Sequence, residues 1–362
     1  MGFNCGIVGL PNVGKSTIFN AMTAAKAEAS NYPFCTIEPN VGMVPLRDIR
    51  LKKLAELINP QKVLPTSVEF VDIAGLVKGA SSGEGLGNQF LGHIRAVDTV
   101  AHIVRCFEDP DITHVSGTLD PLNDIEVIST ELMLADLDSV SKRVKKYEKL
   151  AKGADKEAAK LLGFYKEVEA CLEDGKAART LSAETLEGVS DLNLITAKPV
   201  LYVANVGEDD LDATSKEAKL VAEAAHAEGA AFVSICGKVE SEIAELDEEE
   251  RLEFLADMGI TEAGLDKLAH SAYSLLGLIT YFTAGEKEVR AWTVRDGASA
   301  PEAAGVIHTD FEKGFIRAET IAYADFVACG SEAACKEKGL LRVEGKDYIV
   351  KDGDVMHFRF NV

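Results

Sequence analysis

Nine residues near the N-terminus have the types and the spacing needed to hold a chain of phosphates. They read GLPNVGKST, from Gly9 to Thr17, and match the pattern G-x-x-x-x-G-K-[ST]. Glycines let the backbone turn its N–H groups towards phosphate oxygens, and the lysine reaches the β- and γ-phosphates. We therefore expect Lys15 to be catalytic. The residues expected to contact the bound nucleotide here are Asn12, Val13, Gly14, Lys15, Ser16 and Thr17.

A magnesium site is expected beside this loop. Asp72 ends the apolar run VEFVD and begins the motif DIAG, about where a strand next to the phosphate loop would end. Ser16 and Thr36 each offer a hydroxyl to the same Mg²⁺ ion, and a turn threonine without a metal remains the alternative for Thr36. The N–H group of Gly75 can sense the γ-phosphate, so Gly75 is the second expected catalytic position.

The residues expected to recognise the base of the nucleotide lie further along the chain. Guanine readers use [NT]-K-x-D, and that pattern occurs nowhere here; after a late strand the chain reads Asn205, Val206, Gly207, Glu208 instead. Without the lysine and the shorter acid, the paired hydrogen bonds to guanine are lost. We expect Asn205 to reach the N7 edge of the base, Val206 to contact its ring and Glu208 to lie beside it. The predicted base is adenine.

These residues need a parallel sheet to position them. Short apolar runs such as FNCGIV, SVEFVDIAG, TVAHIVRCF, PVLYVANV and AAFVSICG alternate with helical segments. This rhythm predicts a doubly wound α/β sheet with helices on both faces. His102 lies inside one of the apolar runs and is expected to be a core residue rather than a catalytic one.

The alternation of predicted strands and helices is interrupted between about 128 and 195. Apolar residues recur at spacings of four and three on both sides of Gly153, which predicts an antiparallel helical hairpin. Residues 141–180 contain eleven basic and seven acidic side chains, in a chain whose net charge is −21. We expect the hairpin lysines to face outwards, where they can contact RNA phosphates. A hairpin packed flat on the sheet is the alternative.

The last 85 residues or so contain several β-rich runs with glycine turns, including a predicted hairpin turn at 351–354. No pair of carboxylates and no His/Cys cluster suggests chemistry there, so a binding module is expected. Seven scattered cysteines without a CxxC pair favour a reducing compartment, and no apolar run is long enough to span a membrane. We expect a cytoplasmic protein without membrane contact.

The longest motifs resemble one family. The segments YPFCTIEPNVG and DIAGLVKGASSGEGLGNQFLGHI, the helical insertion and a final domain opening at LITYFTAG resemble the YchF, or Obg-like ATPase, branch of the Obg-related P-loop GTPases. The resemblance covers essentially the whole chain. It implies a P-loop domain over 1–130 and 195–277, a coiled-coil hairpin over 131–194 and a β-grasp (TGS) domain over 278–362. It also implies ribosome association and a role in translation or stress regulation.

The expected activity is thus slow, Mg²⁺-dependent ATP hydrolysis on the ribosome. Leu76 follows the DIAG motif where many GTPases have a glutamine, so turnover depends on positioning rather than on a base. Asn12 suggests a further cofactor, a K⁺ ion. Two alternatives stay open: a GTP-preferring enzyme of the same fold, and a ribosome-binding adaptor with incidental hydrolysis. The ribosomal contact is expected on the large subunit or the whole ribosome through ribosomal RNA. A monomer is favoured.

Overall fold

The computed structural model describes residues 3–29, 40–73, 86–109, 118–153 and 155–361. Within these ranges the chain forms two sheets and a protruding pair of helices. The strands are β1 (Asn4–Val8), β2 (Val41–Pro45), β3 (Val63–Leu64), β4 (Ser67–Asp72), β5 (Thr99–Arg105), β6 (Val200–Asn205), β7 (Ala231–Ile235), β8 (Leu278–Ala284), β9 (Val289–Arg295), β10 (Phe315–Ala322), β11 (Arg342–Glu344) and β12 (Asp354–Phe360).

Helices follow most of the strands, as the sequence pattern predicts. The α-helices are α1 (Lys15–Ala29), α2 (Ile49–Ile58), α3 (Leu86–Ala96), α4 (Pro121–Ala151), α5 (Lys156–Glu173), α6 (Ala183–Gly188), α7 (Lys216–Ala227), α8 (Gly237–Ile243), α9 (Glu248–Asp257), α10 (Gly264–Leu275), α11 (Ala300–Ile307), α12 (Thr309–Lys313), α13 (Tyr323–Cys329) and α14 (Glu332–Glu337). Among the described residues, none of these helices is both long and apolar enough to cross a bilayer.

The first sheet carries the phosphate loop and confirms the predicted doubly wound architecture. Its strand order is β2-β4-β1-β5-β6-β7, and the described strands pair in parallel except for β2 with β4. Central strands are buried on both faces, as the fully buried pattern of β5 and β6 shows, which explains their continuous apolar sequence. Ile7 on β1 lies opposite Asp72 on β4, so the phosphate loop and the predicted metal ligand follow neighbouring strand ends.

The predicted helical hairpin is present and antiparallel, with unequal arms. Ser141 of α4 donates to Glu169 of α5 over 2.6 Å, and Glu148 of α4 pairs with Lys166 of α5 over 2.8 Å, so contacts run in opposite directions along the two helices. Helix α4 has 31 residues and α5 has 18. Pro121 at its first turn and the Asp120 cap start α4 earlier than expected, so the predicted boundary at residue 131 falls inside one continuous helix.

The stem of the hairpin is anchored to the returning chain through a buried carboxylate. Asp136 of α4 accepts hydrogen bonds from the N–H groups of Ile195 and Thr196 over 3.1 and 2.7 Å, and from the Thr196 hydroxyl over 2.8 Å. Arg95 of α3 lies 3.3 Å from the same carboxylate. Burial raises the pKa of Asp136, and the three hydrogen bonds and Arg95 oppose that rise. These contacts fix the stem to α3 and to the segment that leads into β6.

The second sheet contains the C-terminal strands in the order β11-β10-β12-β8-β9-β3. Strand β12 lies parallel to β8 and antiparallel to β10, with α11 packed against the sheet, in agreement with the predicted β-grasp fold. The predicted turn at 351–354 exists, because the Asp354 N–H donates to the Lys351 carbonyl over 3.0 Å. The predicted hairpin is wrong: β12 is already paired on both sides, so residues 347–350 have no free edge to join.

One segment of the N-terminal half belongs to the second sheet. Strand β3 pairs in parallel with β9, and Leu51 and Leu54 of α2 are buried with Phe282 and Val289. Arg50 pairs with Asp352 and with its own helix cap Asp48. Residues 49–64 therefore pack with the C-terminal unit, although the sequence places them in the nucleotide-binding domain.

Candidate functional site

The phosphate loop connects β1 to α1, and three of its residues have positive backbone φ angles. Gly9, Asn12 and Gly14 have φ values of 155°, 64° and 93°. A Cβ atom at Gly9 would collide with the backbone oxygen of Ile103, and one at Gly14 would collide with the side chain of Asn205. These two positions require glycine. The loop then delivers Lys15 and Ser16 at the N-terminus of α1, where unpaired N–H groups favour an anion.

Lys15 folds back over its own loop. Its Nζ atom donates to the carbonyl oxygens of Gly9 and Leu10 over 2.9 and 2.7 Å. Burial lowers the pKa of Lys15, and the charge of Asp72 opposes that shift. Both acceptors are weaker partners than a phosphate oxygen, because an ionic hydrogen bond is stronger than a bond to a neutral carbonyl. The ammonium group is thus held in a position from which a phosphate could recruit it.

Asp72 has a buried oxygen that nothing in the described chain satisfies. The residue ends β4, and its Oδ1 atom has no hydrogen-bond partner among the described residues. Burial raises the pKa of Asp72, and the charge of Lys15 opposes the rise. An orphaned carboxylate oxygen beside a phosphate loop fits a Mg²⁺ ion or one of its waters. Ser16 lines the cavity described below. Thr36 and Gly75, the other predicted metal and catalytic positions, lie outside the described residues.

The base end of the site is built on Asn205, the last residue of β6. Its Nδ2 atom donates to the carbonyl of Val13 over 2.8 Å, and its Oδ1 atom accepts from the N–H of Gly237 over 3.0 Å. Asn205 is buried, so the amide ties the phosphate loop to the start of α8. The sequence does not predict this positioning role, since it indicates only a contact with the edge of the base.

Glu208 has a partner that the sequence pattern does not reveal. Its carboxylate lies 2.5 Å from Nζ of Lys238, the second residue of α8. Both side chains are exposed, at 43% and 66%. Val206 is buried, and its N–H donates to the Ile235 carbonyl over 2.9 Å.

A single cavity joins the two ends of the site. It has a volume of about 1090 Å³ and runs from the phosphate loop to the residues after β6 and to the start of α8. Of the nine positions predicted to contact nucleotide, eight line it: Asn12, Gly14, Lys15, Ser16, Thr17, Asn205, Val206 and Glu208. Val13 is fully buried beneath the loop. Phe107 and Cys106, which no sequence motif singles out, also line the cavity, at the end of β5.

Two sequence profiles match the chain. One, described as a 50S ribosome-binding GTPase, matches residues 4–149, and the other, a YchF GTPase C-terminal profile described as a protein of unknown function, matches residues 278–361. The protein named Ribosome-binding ATPase YchF from Haemophilus influenzae is 58% identical over 364 residues, covering 100% of both chains. Its namesake from Bacillus subtilis is 56% identical over 366 residues, again covering 100% of both. The solved structure of the Schizosaccharomyces pombe YchF GTPase superposes with a TM-score of 0.90 at 37% identity, covering 99% of this chain and 98% of its own.

Proposed function

Because this chain belongs to the YchF family, we propose that it is a cytoplasmic ATPase that binds the ribosome and acts in translation or stress regulation. The proposal rests first on the cavity, which joins a complete phosphate loop to a base-binding end without the guanine-reading lysine and aspartate. The name of the relatives, which cover the full length of this chain, supports both the nucleotide and the partner.

The contact between Glu208 and Lys238 supports adenine over guanine. A guanine reader needs a carboxylate free to accept from N1–H and the N2 amino group. Here the carboxylate already pairs with Lys238, so guanine would have to compete with that pair for it. Adenine presents no N1–H donor and makes no such demand. A polar group left unpaired on either side lowers affinity by a few kcal/mol, which is enough for selection.

Hydrolysis by this site requires little proton chemistry from the protein. Water attacks the γ-phosphate and the β–γ bridging oxygen leaves, so negative charge must be stabilised on oxygen atoms. Lys15 and the N–H groups at the start of α1 lie at the phosphate end of the cavity to do this. Bound Mg²⁺ would supply a second positive charge between the β- and γ-phosphates. Asp72 and Ser16 are the described residues that would hold it, with Thr36 as a further ligand; the N–H group of Gly75 would bind the γ-phosphate. We also propose that a K⁺ ion binds near Asn12.

The proposed ribosome contact is the tip of the helical hairpin. Six basic residues of the hairpin and its return are paired with acids: Lys142 with Asp138, Arg143 with Asp191, Lys160 with Glu184, Lys166 with Glu148, Lys176 with Asp174 and Arg179 with Glu228. Four others, the tip lysines, are exposed, and no described carboxylate lies within ion-pairing distance of them: Lys145, Lys149, Lys152 and Lys156.

The tip lysines are placed at the end of the hairpin furthest from the acidic body of the protein. They surround the turn between α4 and α5, whereas the paired residues lie along the arms and at the return. Lysines in this arrangement can contact RNA phosphates with an affinity that falls as salt rises. The C-terminal unit would supply a second contact surface.

Titration calorimetry with ATP and GTP tests the nucleotide choice. We expect ATP to bind at least about tenfold more tightly than GTP. Equal affinities would favour the GTP-preferring alternative. Co-sedimentation with ribosomes, with and without ATP, tests the partner. Ribosome binding that is the same for wild type and for a Lys15→Ala variant without ATP affinity would favour an adaptor with incidental hydrolysis.

A further inference from the structure

Two cysteines of the C-terminal unit lie on consecutive helices. Cys329 is the last residue of α13, and Cys335 lies in α14, after a turn in which Gly330 has a φ of 79°. The N–H group of Gly330 donates to the Phe326 carbonyl over 2.8 Å, which ends α13. The N–H group of Cys335 donates to the Ser331 carbonyl over 3.1 Å, in the first turn of α14. These bonds fix the backbone on both sides of the turn.

The two thiol groups lie together on the last turn of α13. The Sγ atom of Cys335 donates to the backbone carbonyl of Asp325 over 3.6 Å, one helical turn before Cys329. A helical side chain lies over the turn that precedes its own Cα atom, so the side chain of Cys329 covers the same part of α13. The two thiols hydrogen-bond with each other, and both are free. Both side chains pack in the apolar cluster that contains Leu51 and Leu54 of α2.

The surroundings of the pair give the two thiols different chemistry. Cys335 is fully buried, whereas Cys329 is partly exposed. Burial and the adjacent Cys329 raise the pKa of Cys335 to about 11. Cys335 therefore keeps its proton at neutral pH and can donate its S–H group to the sulfur beside it. An oxidant that arrives from solvent reaches Cys329 first.

We propose that Cys329 and Cys335 are a peroxide-sensitive modification site, at which the two thiols form a reversible disulfide bond. In the first step the sulfur of Cys329 takes one oxygen atom from hydrogen peroxide; the O–O bond breaks, water leaves and Cys329 becomes a sulfenic acid. In the second step the sulfur of Cys335 attacks that of Cys329. The S–S bond forms, the S–O bond breaks, and the departing hydroxyl group takes the proton of Cys335 and leaves as a second water.

The position of Cys335 makes the modification reversible. A sulfenic acid with a thiol beside it condenses to a disulfide, whereas one without such a neighbour is open to further, irreversible oxidation. In a reducing compartment the disulfide is transient, because thiol reductants return both cysteines to the free form. Neither step involves the nucleotide cavity, so the site goes beyond the proposed function.

The test treats the full-length protein with hydrogen peroxide, alkylates the remaining thiols in denaturant and digests the protein with trypsin. Both cysteines fall in one peptide, residues 318–336, because no lysine or arginine lies between Arg317 and Lys336. We expect this peptide to carry no alkyl group and to be lighter than the reduced peptide by two hydrogen atoms. Dithiothreitol added before alkylation should restore two alkyl groups. Cys171, whose thiol donates to the Lys176 carbonyl over 3.5 Å, is the internal control and should still be alkylated.

A variant tests the role of the buried thiol. With dimedone present to capture sulfenic acids, Cys329 of a Cys335→Ala variant should carry at least about tenfold more dimedone than Cys329 of wild type, because no second thiol competes for the sulfenic acid. Cys171→Ala is the matched control: it removes another buried thiol and should leave the disulfide yield at the wild-type level.

Two results would overturn the proposal. The first is a wild-type peptide that takes two alkyl groups after peroxide treatment, a measurement that needs no variant to fold. The second is equal dimedone labelling of Cys329 in wild type and in Cys335→Ala, which would show that Cys335 does not react with the sulfenic acid.

Discussion

The side-chain amide of Asn205 donates to the backbone carbonyl of Val13 over 2.8 Å. Asn205 ends β6 at the base end of the nucleotide cavity, and Val13 is buried beneath the phosphate loop. The same amide also accepts from Gly237, so a single buried side chain holds three segments in register. The shape of the phosphate loop is therefore coupled to the loop that reads the base.

Replacing Asn205 should destabilise both the phosphate loop and the start of α8. We expect Asn205→Ala to lower the free energy of unfolding by about 1–3 kcal/mol, because a buried carbonyl and a buried N–H group lose their partner. ATP affinity should fall as well. Thermal unfolding and titration calorimetry measure the two effects. Ser241→Ala is the matched control: it lines the same cavity and loses only a bond to the Gly237 carbonyl, so both values should stay near wild type.

Lys238 should help to exclude guanine. In a Lys238→Met variant the Glu208 carboxylate loses its partner and becomes available to guanine, so the ratio of GTP to ATP affinity should rise by about tenfold. Lys238→Arg keeps the positive charge and should keep the wild-type ratio. Competition between the two nucleotides for each protein gives the ratio directly. An unchanged ratio in Lys238→Met would mean that selectivity comes from elsewhere in the cavity.

Asp72 should matter only when Mg²⁺ is present. With Mg²⁺, we expect Asp72→Asn to weaken ATP binding by at least about tenfold, because a metal ligand is removed. With EDTA, ATP should bind the variant as tightly as wild type or more tightly, because an anion beside the phosphates has been removed. Calorimetry under both conditions decides the matter. If Asp72→Asn weakened ATP binding equally with and without Mg²⁺, Asp72 would have a structural role instead of holding the metal.

His102 should make stability depend on pH. Its pKa is about 3 in the folded protein and about 6.5 when unfolded, so below pH 6.5 the unfolded chain binds an extra proton and stability falls as pH falls. When the pH falls from 7.5 to 5.5, this histidine should lower the free energy of unfolding by about 1.4 kcal/mol. His102→Leu should lose that part of the pH dependence. Denaturant unfolding at both pH values measures it, and parallel losses in both proteins would contradict the assignment.

Charge reversal at the hairpin tip should weaken ribosome binding. We expect Lys145→Glu, Lys149→Glu and Lys152→Glu together to reduce co-sedimentation and to flatten its salt dependence by about one unit of slope for each phosphate that the variant no longer neutralises. The matched control reverses three paired lysines, Lys142, Lys160 and Lys166, with the same change in net charge. It should weaken binding less. If both variants behave alike, net charge alone governs the binding.

The sequence predicts those parts of the molecule that depend on local pattern. The phosphate loop, the strand ending at Asp72 and the antiparallel hairpin follow from spacing and residue type, and the structure contains each of them. The Lys238 partner of Glu208 and the double role of Asn205 could not be predicted in the same way. They depend on how β6 and α8 meet in space, and no periodicity within either segment encodes that meeting. The ion pair of Arg143 with Asp191 could not be predicted for the same reason.

Strand β3 is synthesised long before β9, the strand with which it pairs. Val63 lies opposite Val289, so the edge of the second sheet joins segments from opposite halves of the sequence. At a synthesis rate of about 5–20 residues per second, Val63 leaves the ribosome roughly 10–45 s before its partner strand is made. During that interval the apolar face of α2, with Leu51 and Leu54, has no second sheet to cover it. A nascent chain arrested before β9 should therefore be bound by chaperones or cut by proteases at 49–64, whereas one released after β12 should be protected there.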